Sequence, residues 1–127
     1  MLVDYPVAPT IPVTDLKRAS EFYEKTLGLP IIREEKMGIA FQAGKNTALY
    51  IYQRGPSTAD HTLAAFMVDD LEAMVDEMAK KGVTFEQYDL PGLKTNVKGI
   101  AVPEGEGEKG AWFKDPDGNI LAISEAV

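Results

Sequence analysis

The chain has 127 residues, 45% of them hydrophobic, which is one compact domain's length and enough apolar surface for a core. It has no cysteine, which removes disulfides, thiolate nucleophiles and thiolate-ligated metals and fits a reducing, cytoplasmic setting. A net charge of −7 repels phosphate backbones, so nucleic acid is not an expected partner, while a cationic small molecule is mildly favoured.

Met1 to Pro6 lacks the basic-then-apolar run of a signal peptide, and no apolar stretch is long enough to span a bilayer, so no membrane partner is expected. A β-type run from Pro6 to Val13 opens the chain. Leu16, Ala19, Phe22, Tyr23 and Leu27 then recur at helical spacing, with Thr14 or Asp15 placed to cap the helix and Gly28 to end it. Three strand-like runs follow, Pro30 to Lys36, Gly38 to Ala43 and Thr47 to Arg54. Gly55-Pro56-Ser57-Thr58 reads as a linker.

The pattern then starts again. Thr62 to Val68 is a β-type run, and Leu71, Met74, Val75, Met78 and Ala79 form a helical stripe, with Asp69 or Asp70 at its start and Gly82 at its end. Val83 to Asp89, Gly110 to Lys114 and Asn119 to Glu125 complete the second copy. Val13-Thr14-Asp15-Leu16 superposes on Val68-Asp69-Asp70-Leu71 at an offset of 55, and Leu49-Tyr50-Ile51 on Leu121-Ala122-Ile123 at an offset of 72. The expected architecture is therefore α+β: two βαβββ modules in tandem, about 6–54 and 61–127, within a single domain of residues 1–127. The second module carries about 17 extra residues, placed at about 89–109, which include a possible short strand from Lys98 to Val102. Such an insert beside a sheet is either a lid or a passive surface excursion.

Three stretches resemble the vicinal oxygen chelate superfamily, which includes glyoxalases, extradiol dioxygenases, fosfomycin-resistance enzymes and bleomycin-binding proteins. They are Val13-Thr14-Asp15-Leu16 through Phe22-Tyr23 and Leu27-Gly28-Leu29, then Val68-Asp69-Asp70-Leu71, then Trp112-Phe113-Lys114-Asp115-Pro116-Asp117-Gly118-Asn119. The resemblance implies a curved mixed sheet with an open cleft, and a homodimer whose clefts use strands of both subunits. It also implies four metal-ligand positions, which fall here on Ala8, Tyr50, Leu63 and Ala122. Three of these have no donor atom, and the phenol of Tyr50, with an ordinary pKa of about 10, is a poor ligand near neutral pH. A catalytic metal site takes about three protein ligands. No metal and no cofactor are therefore expected.

His61 is the only histidine and reads as an ordinary strand-edge residue. A Ser-His-Asp set using it with Ser20, Ser57 or Ser124 has no supporting spacing, and no catalytic residue is assigned. Glu86 and Asp89 are general bases only if they face a cleft. Period-two alternation puts Tyr50, Tyr52, Leu63, Met67 and Ala122 on the face of the implied ligands, with Trp112 nearby. These six residues are the expected ligand-binding set. The leading functional expectation is a metal-free protein that binds a small apolar or aromatic molecule, cationic ones included. The alternative is a glyoxalase-like lyase or isomerase or another small-molecule enzyme of the same superfamily, and a third reading is an accessory domain with no ligand.

Overall fold

The computed structural model describes residues 1–102 and 108–126, the side chains at 108 and 126 excepted. Most of the Pro103–Glu108 run lies outside the described residues. The chain divides into two compact units, Met1–Ala59 and Asp60–Val127, each built as one βαβββ module around its own mixed sheet. Among the described residues no helix is long and apolar enough to cross a membrane.

In the first unit, β1 (Thr10–Val13), β2 (Ile31–Glu34), β3 (Gly38–Gln42) and β4 (Ala48–Gln53) form a sheet in the order β1-β4-β3-β2. β1 runs parallel to β4, and the other pairings are antiparallel. Helix α1 (Leu16–Glu21) starts where the Asp15 carboxylate accepts from the Arg18 N–H at 3.1 Å, a cap worth about 1 kcal/mol. It runs on into a wider π turn, Phe22–Thr26, before Gly28 reverses the chain at φ +76°. The alternation is physical: Ile11, Val13, Ile39, Phe41, Leu49 and Ile51 are buried, and Phe41 meets helix residue Tyr23 with ring centroids 5.8 Å apart. The intervening residues of each strand therefore lie on the face turned away from the helix.

The second unit repeats the plan with β5 (Thr62–Met67), β8 (Ile100–Ala101), β9 (Glu108–Lys114) and β10 (Ile120–Ala126), in the order β5-β10-β9-β8. Helix α2 (Leu71–Lys80) buries Leu71, Val75 and Met78. Asp70 caps it by accepting from the Ala73 N–H at 3.1 Å. Glu125 on β10 adds a second acceptor, taking the Leu71 N–H at 2.7 Å, and Lys109 pairs with the same carboxylate at 3.3 Å. The Leu71 bond holds the Glu125 carboxyl below its ordinary value of 4.5, with Lys109 helping.

A lowered carboxyl contributes stability that is present above 4.5 and is lost as pH falls through the lowered folded value. Glu125→Gln should therefore be less stable than the parent at neutral pH. The gap should close as the solution is acidified below pH 4.5, in denaturation midpoints taken across pH. Equal midpoints at neutral pH would remove Glu125 as a helix anchor.

The second module departs from the first where the sequence suggested a continuous strand from Val83 to Asp89. Phe85 makes only an isolated bridge to Phe113, and Glu86 donates its N–H to the Trp112 carbonyl at 2.8 Å. The chain then leaves the ladder, turns through a small hairpin of β6 (Asp89–Leu90) and β7 (Leu93–Lys94), and returns as Ile100 opposite Ala111. The extra residues thus begin after Glu86 and split the fourth strand of the sheet in two. Thr95 holds the base of the excursion, its hydroxyl accepting from the Tyr88 N–H at 2.8 Å. Lys98 reaches Glu72 at 3.1 Å and Asp76 at 3.0 Å on α2, and the Asp76 bond, then that to Glu72, raises its pKa above 10.5. That lysine commits its part of the insertion to the helix side of the module.

Candidate functional site: two open sheet faces

The face of each sheet turned away from its helix carries the candidate residues, and the two faces are taken separately. In the first unit, Tyr50 and Tyr52 of β4 are half-buried and alternate with Leu49 and Ile51, which point to the helix. Tyr50 lies opposite Thr10 and Ala40, and Tyr52 opposite Pro12 and Gly38. Ala8 precedes β1 and is exposed.

The Tyr50 phenol crosses Gly38, where a β-carbon would overlap it, and donates to Glu35 Oε1 at 2.8 Å. Arg33 Nε pairs with Glu35 Oε2 at 3.4 Å. The Glu35 bond, reinforced by desolvation and by the carboxylate's charge, raises Tyr50 above 10, so the phenol stays protonated and donating. A register shift between Ile31 and Arg33 breaks simple alternation on β2. Arg33 thereby pairs with Ala40 on this face.

In the second unit, Trp112 lies opposite Ala122, and Ala122 opposite Ala65; Gly110, Ser124 and Met67 form the next row. Ala111 and Phe113, on either side of Trp112, are fully buried toward the helix side. Trp112 meets Tyr88 edge to face, with centroids 5.7 Å apart. Burial raises the Tyr88 phenol above 10, with Glu86 adding to the effect. Met67 is 62% exposed.

Leu63 sits where the β5–β10 register steps from Thr62 to Ala64, so it has no partner across the ladder and period-two alternation does not carry past it to His61. His61 is exposed outside β5, its Nδ1 3.3 Å from the Thr62 carbonyl. Glu86 pairs with Lys114 at 3.5 Å and Asp89 with Lys94 at 4.0 Å.

Of the expected residues, the structure brings Tyr50 and Tyr52 together on one face and Met67, Trp112 and Ala122 together on the other. Arg33, Glu35 and Tyr88 join these faces without a periodic signal in the sequence. Gly38 and Gly110 join them too, and these match at the same offset of 72 that pairs Tyr50 with Ala122.

The residues at the implied metal positions do not fit a divalent ion. Ala8, Leu63 and Ala122 have no donor, and Tyr50 spends its proton on Glu35. Among the described residues no three of His, Asp and Glu come together elsewhere.

A search of curated protein sequences gives no significant match. Solved structures share the fold. A glyoxalase family protein from Enterococcus faecalis superposes with TM-score 0.73 at 21% identity, over 98% of this chain and 100% of that one. TnmS3, an antibiotic binding protein from Streptomyces sp. CB03234, gives 0.66 at 21% identity, over 100% and 99%. The fosfomycin resistance protein FosX from Mesorhizobium loti gives 0.66 at 16% identity, over 98% and 94%. The family model described as Glyoxalase/Bleomycin resistance protein/Dioxygenase superfamily matches residues 6–123, and the chain belongs to that superfamily.

Proposed function

We propose that this protein is a metal-free small-molecule-binding member of the superfamily, working as a cytoplasmic homodimer and taking an apolar or aromatic ligand, cationic ones included. The observation that carries the reading is the donor chemistry at Ala8, Tyr50, Leu63 and Ala122, joined to faces that keep aromatic and thioether side chains partly exposed. Binding surfaces of this kind combine apolar area with a few placed polar groups. Tyr50, Glu35 and Arg33 supply such groups on one face, and Ser124 on the other. The antibiotic-binding relative supports sequestration as one form of the activity. The rival, a glyoxalase-like lyase or isomerase, requires metal ligands that these four residues do not provide.

The test is a thermal-melting survey with apolar, aromatic and cationic aromatic compounds. At least one class should raise the midpoint in proportion to the logarithm of its concentration. A flat response across all classes would leave the accessory-domain reading in its place. For a compound that binds beside Tyr50, Tyr50→Ala should weaken binding by on the order of 1 kcal/mol, the worth of an aromatic contact. Tyr50 is partly exposed, so the midpoint of the free protein should move little. An unchanged affinity for every compound that binds would remove Tyr50 from the site.

A further inference from the structure

Each open face carries one aromatic ring folded onto one glycine, and the two modules have exchanged which strand supplies the ring. The cross-strand pair is Ala40 with Tyr50 in the first unit and Trp112 with Ala122 in the second. At the offset of 72, alanine faces aromatic at both equivalent positions. Gly38 and Gly110 are also equivalent at that offset, and each lies under its unit's ring.

Glycine inside a strand weakens the strand and usually marks a close approach by another group. At Gly110 that group is the indole two residues on: a β-carbon there would stand 3.2 Å from Trp112 Cη2 and 3.5 Å from Cζ2. The indole is therefore laid back along its own strand. Beside it the side chains are small, with Ala122, only 4% exposed, and the exposed Ala65 on the two neighbouring strands and Ser124 in the next row. Three strands at about 4.8 Å spacing make a floor roughly 10 Å wide, the breadth of a fused two- or three-ring system. Tyr88 buttresses the indole from one side, and Met67 stands exposed on the far strand.

We infer that the open face of the second module is a shelf for a flat, fused aromatic ring, with Trp112 as the stacking surface and Gly110 as the position that keeps the indole down. The inference rests on the binding reading above and names the ligand class for this face. Flat aromatic surfaces gain from ring–ring contact beyond the area they bury, and a saturated cage of similar size does not.

Trp112 is the single tryptophan, so its emission reports on the shelf directly. The probes are acridine and 2-naphthamide as flat rings and adamantane-1-carboxamide as the saturated cage. They are titrated by calorimetry into the full chain and into Trp112→Leu and Gly110→Ala, with the emission followed in the two proteins that keep Trp112. The flat probes should quench or shift the emission of the parent and bind roughly fivefold or more tightly than the cage. Trp112→Leu should lose the preference for flat rings over the cage. Gly110→Ala should change the emission of the free protein and reduce the same preference. If Gly110→Ala does not fold, Trp112→Leu carries the test.

Flat probes that bind without touching the emission, with their preference intact in Trp112→Leu, would overturn the shelf and leave the binding reading standing. If no compound class stabilises the parent, both fall together.

Discussion

Phe113→Ala should lower the stability of the protein by about 3–5 kcal/mol, the usual cost of removing a fully buried ring from a core that cannot collapse around the void. Phe113 is 0% exposed near the C-terminal end of β9. It pairs with Leu121 across the sheet, and its ring meets that of Phe85 edge to face at 5.9 Å. The Phe85 contact gives the residue a further role. After the insertion splits the edge of the sheet, the Phe85–Phe113 bridge is the point at which the first piece of that edge still engages β9. The variant should also free the segment around Phe85, seen as faster amide hydrogen exchange at Glu86 than at Ile51 in the other unit. A midpoint shift of roughly 10 °C or more is expected in thermal melting. A shift of only a degree or two would show that β9 is not the centre of the module's core.

Asp115→Ala should cost about 3 kcal/mol, because it takes a charged acceptor from several donors in a nearly water-free place. Asp115 and Asn119 are 4% and 3% exposed. Asp115 Oδ1 accepts from the N–H groups of Asp117 and Asn119, both at 2.9 Å, and Oδ2 accepts from the Asn119 amide, also at 2.9 Å. This turn sets the register of β9 against β10 and so places Trp112 opposite Ala122. Asp115→Asn keeps an oxygen for the two backbone donors and should lose less than Asp115→Ala in denaturant midpoints. If both variants match the parent, the turn is held by the strands and not by its own hydrogen bonds.

Much of this fold can be read from residue order. The cap positions to within one residue, the glycine at the end of α1 and the two offsets of 55 and 72 follow from local chemistry and simple alignment. They lead to Asp15 and Asp70 as caps, Gly28 at positive φ, and two sheets of equivalent strand order. The candidate site is legible only where alternation runs unbroken. On β4 it does, so Tyr50 and Tyr52 can be placed together from their spacing.

On β2 and β5 it does not, because a register shift changes the face that parity would assign. The Tyr50–Glu35–Arg33 chain therefore cannot be read from parity. Tyr88 was hidden for another reason. Its contact with Trp112 depends on where the insertion leaves the sheet, which is set by the hydrogen bonds of Thr95 and by Phe85 rather than by any periodic pattern. The glycines were readable as a matched pair, but their purpose requires knowing which rings lie on them.

The central claim is that this member of the superfamily binds its ligand without a resident metal. The most direct measurement is elemental analysis of protein purified without chelator, paired with ligand binding before and after dialysis against one. Far less than one zinc, nickel, iron or manganese ion per chain is expected, with an affinity that chelation leaves unchanged. About one such ion per chain, with binding or activity lost on chelation and restored by adding the metal, would contradict it.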